Sequence, residues 1–192
     1  MPQDERGSHH LVALGANLPS AAGSPRATLA AALAGLEAHG LRVAARSRWW
    51  RTPAWPPGAG PDFVNGAAAV VGPDDPEAVL AALHAVEAGL GRGRARRWAP
   101  RVCDLDLIAS GGRVLPDAAT VAGWIAREGE DRLAVPPGLL LPHPRMQERG
   151  FVLAPLAEVA PDWRHPLIGR TVREMLEALP AGALDRVEPL PR

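Results

Sequence analysis

Over residues 9–109 the apolar pattern runs strand, helix, strand, strand, helix, strand, and few topologies accept that order. His9–Leu14 reads as a buried strand closed by the turn sequence Gly15-Ala16-Asn17. Ser24-Pro25 opens a helix, with a hydroxyl at the N-cap and Pro at the first helical position. Leu29, Leu33 and Leu36 form its apolar stripe, and Gly40 ends it. Leu41–Trp49 alternates as a second strand, Pro53–Pro61 is a Pro/Gly-rich loop, and Phe63–Val71 is a third strand. Asp75-Pro76-Glu77 caps a second helix carrying Val79, Leu83, Val86 and Leu90; Val102–Ala109 is the fourth strand. The order predicts an α+β fold, a ferredoxin-like split βαβ sandwich with C-terminal additions.

The expected organisation is a disordered lead-in over 1–8 and one domain over 9–192, a length that buries a substantial core. Residues 113–137 read as a charge-rich insertion with no evident role. Leu139–Pro144 is short and extended, Arg149–Ala160 includes a helix, and Thr171–Leu179 is another, stopped by Pro180. No secretory pattern or membrane-spanning apolar run is present, so a cytoplasmic protein is expected.

Charge narrows the function. The 21 basic residues balance 21 acidic ones, which argues against a general nucleic-acid or membrane-surface binder. Every basic residue is Arg, so a Walker-type phosphate loop and a Schiff-base lysine are both excluded. The one cysteine, Cys103, has no partner for an internal disulfide.

The chemistry concentrates in one stretch. Asp104 and Asp106 lie two apart on an apolar strand and so share a face. Two carboxylates side by side repel each other and need a partner, and a hard cation such as Mg²⁺ resolves both problems. Just upstream lie Arg92, Arg94, Arg96, Arg97 and Trp98, followed by Arg101. Guanidinium forks match phosphate oxygens, and glycines at 91 and 93 suit a segment that closes over a nucleotide. Phe63 and Asn65 share a face of the third strand, where stacking and paired hydrogen bonds suit a flat heterocycle, with Thr52 near the same edge. His143, in Leu-Pro-His-Pro, and Arg149-Gly150-Phe151 add a cation, cation, aromatic set. Two other classes remain open on these residues: an RNA-binding ferredoxin-like domain, and a sugar-nucleotide transferase using Asp-x-Asp for its metal.

The chain resembles the 6-hydroxymethyl-7,8-dihydropterin pyrophosphokinase family. The resemblance rests on Ala13-Leu14-Gly15-Ala16-Asn17-Leu18, Arg51-Thr52-Pro53 with Phe63-Val64-Asn65, and Glu87…Gly91-Arg92…Arg97-Trp98-Ala99-Pro100-Arg101…Asp104-Leu105-Asp106. Pro142-His143-Pro144 and Arg149-Gly150-Phe151-Val152-Leu153 complete it. It implies two Mg²⁺ ions, with ATP as co-substrate bound before the pterin. By position it implies that Asp104 and Asp106 hold the metal, and that Arg92, Arg94, Arg101, His143 and Arg149 contact phosphates and nucleotide. Phe63 and Phe151 would sandwich the pterin, Asn65 with Thr52, Pro53 and Trp55 would read its edge, and Trp98 would close as a lid. Glu87 matches a position near the nucleotide and is expected to orient an Arg. The chain departs from the pattern at Ala99, where Gly is usual, at Ala16, where Ser is common, and in 113–137, which is longer than the family's compact form. A monofunctional monomer acting on small molecules, with no nucleic-acid or membrane partner, is expected.

Overall fold

The structure is a computed structural model that describes residues 7–54, 58, 60–91 and 102–191. It contains strands β1 (Ser8–Ala16), β2 (Arg42–Arg46), β3 (Trp50–Thr52), β4 (Phe63–Gly72), β5 (Asp104–Ser110) and β6 (Glu188–Pro189). Its helices are α1 (Pro25–Ala38), α2 (Pro76–Gly89), α3 (Ala118–Ile125), α4 (Gly150–Val159) and α5 (Val172–Glu177). Single 3₁₀ turns occupy Gly129–Leu133 and Met146–Glu148.

One antiparallel sheet runs β5-β1-β4-β3-β6, with β2 also paired to β4. Taking β2 and β3 as one interrupted strand, this is the split βαβ order expected from the sequence. The helix starts form as read. Ser24 accepts the Ala27 N–H and Asp75 accepts the Glu77 N–H, each with Pro at the first position of its helix. Thr171 and Glu174 make a reciprocal capping box at the start of α5.

Several boundaries differ. β1 begins at Ser8, inside the expected lead-in, where it pairs with Gly72. The second strand is broken rather than continuous over 41–49. Ser47 keeps the ladder alive by exchanging two bonds with Ala67: its N–H donates to the carbonyl, and its Oγ accepts the Ala67 N–H, both at 2.9 Å. The kink buries Trp49 against β4, where a Cβ on Gly66 would lie 2.7 Å from the ring. The stretch 113–137 holds α3, capped by Asp117 accepting from Thr120 N–H at 2.8 Å. That helix escaped the sequence reading because Val121 is its one buried residue, too little to set a period. The short β6 was likewise unforeseen.

The two sheet faces carry different layers. Val12, Leu14, Ala68, Val70, Leu105 and Leu107 pack under α1 and α2. On the other face Leu11, Ala67, Ile108 and Ala109 pack under α4 and α5 through Val152, Leu153, Leu156 and Met175. Further along the same face, Phe63, Asp104 and Asp106 are partly exposed.

Candidate active site

The second face also carries Asp104, Asp106, Phe63 and Asn65. Along β5, Asp104, Asp106 and Ile108 alternate onto one face, and only Ile108 lies in the α4/α5 core. β1 repeats the pattern with Gly15, Ala13 and Leu11, and β4 with Phe63, Asn65 and Ala67. Strand register joins these into rows: Asp104 opposite Gly15, Gly15 opposite Asn65, Asn65 opposite Trp50; behind it, Asp106 opposite Ala13 and Ala13 opposite Ala67. Gly15 separates the acid pair from Asn65. A Cβ there would stand 2.9 Å from Asn65 Oδ1 and 4.0 Å from the Phe63 ring, so glycine keeps the floor open between them.

Asn65 is buried and oriented, its Nδ2 donating to Thr52 Oγ1 at 2.7 Å. Phe63 sits opposite Thr52 on the same floor. Pro53 follows directly and is partly buried. Phe151 stands at the first turn of α4 and is 39% exposed. Its helix starts close to the chain's last turns because Gly150 has no Cβ, which would meet Ala183 O and Leu184 Cδ2 at 2.8 Å. Arg149, the N-cap of α4, lies 5.7 Å from the Phe151 ring centroid.

Glu87 does something the sequence did not reveal. It lies in the last turn of α2, is 2% exposed, and its Oε1 accepts the Leu105 N–H at 2.7 Å. Leu105 is the residue between the two aspartates, so this buried carboxylate fixes the stretch of β5 that presents them. Only the spacing from helix to strand hinted at it.

His143 is placed as expected but is not a cation. Its backbone N–H donates to Ile108 O at 2.8 Å, hanging the segment on β5. The side chain is partly exposed, yet burial, then the Arg149 charge and more weakly Arg145, push its pKa down to about 3, with Asp104 pulling the other way. Nδ1 accepts the Arg145 N–H at 3.1 Å, so the neutral ring carries its proton on Nε2 and acts as a hydrogen-bond donor.

Asp106, His143 and Arg149 line one cleft of about 590 Å³ that runs along β5 to α2 and α3. Trp124 and Arg127, from the stretch without an assigned role, also line it. A groove of about 600 Å³ between α1 and β2 holds none of the expected residues, so volume alone does not distinguish the two. Trp55, Arg92, Arg94, Trp98 and Arg101 lie outside the described residues. Among the described residues no group of three His, Cys, Asp or Glu side chains gathers into a metal cluster.

The frame is that of a ferredoxin-like α+β enzyme whose polar residues collect on the half-open face of its sheet. The chain belongs to the 7,8-dihydro-6-hydroxymethylpterin-pyrophosphokinase family, whose model matches residues 11–161. It is 40% identical to the 2-amino-4-hydroxy-6-hydroxymethyldihydropteridine pyrophosphokinase of Methylorubrum extorquens, covering 91% of this chain and 96% of that one. The enzyme of the same name from Pseudomonas aeruginosa is 37% identical over 92% of this chain and 94% of its own length. In fold the chain matches wild-type HPPK-DHPS of Plasmodium falciparum with a TM-score of 0.62, at 12% identity, over 95% of this chain and 47% of that one. The protein is thus an ATP-dependent pyrophosphokinase of folate biosynthesis that transfers pyrophosphate to the hydroxymethyldihydropterin. No helix among the described residues is long and apolar enough to cross a membrane.

Proposed function

We propose that the open half of the sheet is the site of this transfer, with Asp104 and Asp106 holding Mg²⁺ and the 6-hydroxymethyl oxygen attacking the β-phosphorus of ATP. The observation that carries the reading is the row Asp104, Gly15, Asn65, with Asp106 opposite Ala13 in the row behind: an acid pair and an amide on one face of the sheet, with β1 between them. Two carboxylates, with no cluster of three His, Cys, Asp or Glu side chains among the described residues, suit Mg²⁺, which keeps waters and takes substrate phosphates as its remaining ligands. When bound there, the metal orients the phosphates and offsets the charge that develops on them; two ions are expected, as the resemblance implies.

The chain's own residues do the rest. Phe63 and Phe151 stack on the two faces of the pterin, and Asn65, oriented by Thr52, pairs with its edge, with Pro53 and Trp55 completing that wall. His143 donates its Nε2 proton as a neutral hydrogen bond, while Arg149 supplies positive charge to the phosphate oxygens. Arg92, Arg94 and Arg101 add further charge, and Trp98 covers the bound substrate. The O–P bond forms as the bond from β-phosphorus to the bridging oxygen breaks, and AMP leaves with that oxygen. The hydroxyl proton departs to solvent or to a phosphate oxygen, since a loose transition state asks for little base catalysis. We place the enzyme in the cytoplasm as a monomer, supported by its use of ATP and by the single buried cysteine.

The test is AMP formation from ATP at saturating Mg²⁺, with and without reduced hydroxymethylpterin. Pterin-dependent AMP without ADP is expected. ADP as the product would move the attack to the γ-phosphorus and overturn the proposed chemistry.

A further inference from the structure

We propose that Trp124 and Arg127 form a stacked platform for the purine ring of ATP, an inference that rests on placing the nucleotide in the cleft described above. The guanidinium carbon of Arg127 lies 3.5 Å from the centroid of the Trp124 ring, a distance that means flat stacking. Both side chains are partly exposed and line the same cleft as Asp106, His143 and Arg149.

The neighbouring cations differ in their commitments. Arg132 and Arg145 both pair with Glu148, Arg145 through Nε to Oε1 at 2.8 Å. Arg127 has no carboxylate partner among the described residues, and its recorded contact is the indole. One planar guanidinium face and its N–H edges are thereby held for a ligand, with side-chain freedom already spent on the stack. Packing does not account for the pair, because α3 buries only Val121.

A base is the better ligand than a phosphate. The triphosphate belongs beside the acid pair and His143 on the sheet, so the adenosine end must extend along the cleft. There Trp124 is the only indole among the described lining residues, and a guanidinium plane accepts a purine face while its N–H groups meet ring nitrogens. Val135, on the same cleft, is 72% exposed and offers apolar surface that a bound ring would cover. The segment 113–137, which had no role in sequence, thereby gains one: it supplies the base-binding wall.

Calorimetric titration of the full chain with MgATP and with magnesium tripolyphosphate separates the possibilities. Wild type should bind ATP more tightly than tripolyphosphate. Trp124→Ala and Arg127→Ala should each weaken ATP about tenfold, the scale of one lost base stack, while leaving tripolyphosphate unchanged. Arg127→Lys keeps the charge but not the plane and should behave like Arg127→Ala; it carries the test if Trp124→Ala fails to fold. In turnover the KM for ATP should rise with kcat and the pterin KM unchanged. Equal weakening of both ligands would make Arg127 a phosphate cation and overturn the platform, as would unchanged ATP affinity. Failure of wild type to bind either ligand would instead overturn the placement of the nucleotide itself.

Discussion

One face of the sheet is closed along its length and the other only in part, and the two are built from different residues. Beneath α1 and α2 the strands present Val12, Leu14, Val70, Leu105 and Leu107, all buried. On the opposite face the same strands present Leu11, Ala13 and Ile108 to the α4/α5 layer, then change to the buried Gly15 and Asn65 and the partly exposed Asp104 and Asp106. A strand alternates faces with every residue, so β5 serves both at once. Asp104-Leu105-Asp106-Leu107 is a hydrophobic anchor read on even spacing from one side and an acid pair read from the other. One face holds the strand, and the proposed site lies on the other.

Removing Asp106 should break this division most visibly. On the proposed metal site, Asp106→Ala should lower turnover at least about a thousandfold, a barrier increase of about 4 kcal/mol. Thermal stability should stay near wild type, since the side chain is partly exposed and outside both cores. Steady-state turnover with a parallel melt checks both halves; near-normal turnover would remove the acid pair from the mechanism. The opposite pattern is expected from Leu83→Ala. This side chain is fully buried under the closed face, and its loss should cost about 3 kcal/mol of stability through lost transfer energy and a cavity. Turnover per folded molecule should be unchanged, as denaturant titration and active-fraction assays would show.

The contrast also explains which parts were legible in sequence. The frame was readable because it rests on periodicity and caps: Ser24-Pro25, Asp75-Pro76, and apolar stripes deep enough to set a phase. That Asp104 and Asp106 share a face was readable because side chains alternate along a strand. Glu87 was expected to orient an Arg; its bond to the Leu105 N–H went unread, since a helix-to-strand bond spans 18 residues and leaves no local pattern. His143 was read as a cation because sequence does not reveal burial, and the neighbouring Arg149 and Arg145 reverse that assignment. The α3 segment went unread for a third reason: a helix with one buried residue has almost no periodic signal, although it lines the cleft.

Glu87 sharpens the comparison because it links the two faces: it belongs to a helix of the closed layer and holds the strand that serves the open one. Glu87→Ala should cost about 2 kcal/mol, leaving the Leu105 N–H without its carboxylate acceptor. It should also raise the Mg²⁺ concentration needed for half-maximal turnover, as the aspartates lose their fixed spacing. Glu87→Gln retains an oxygen acceptor and should restore most of the stability and the Mg²⁺ response. If Gln proves no better than Ala in both assays, the negative charge, rather than the bond to β5, is what the site requires.

The smallest effect should come from acid, and it should reach both layers without touching the acid pair. His10 is buried on β1, its ring nitrogen Nε2 bonded to Pro73 O at 3.0 Å, and burial holds its pKa below the usual imidazole range, with Arg113 adding to that. His165 is buried beside the α4/α5 layer, and burial pushes its pKa down to about 4. Its Nδ1 accepts the Leu167 and Ile168 N–H groups at 3.2 and 3.3 Å, while Nε2 is buried without a partner. Both rings are neutral in the folded chain and titrate near 6.5 once unfolded, so below that pH the unfolded chain binds more protons. Their contribution is therefore intact above pH 6.5 and falls as pH drops toward 4, by on the order of 1 kcal/mol for His165 at pH 5.5. Denaturant midpoints measured from pH 7.5 to 5 should decline, and His165→Gln should flatten the slope even where it lowers the midpoint itself. His10→Gln should flatten it independently, because the two rings lie under opposite faces and have no shared partner. A slope unchanged in both variants would assign the acid sensitivity to other groups, such as Asp74, Asp117 and Glu174, whose partners hold them below the usual carboxylate range.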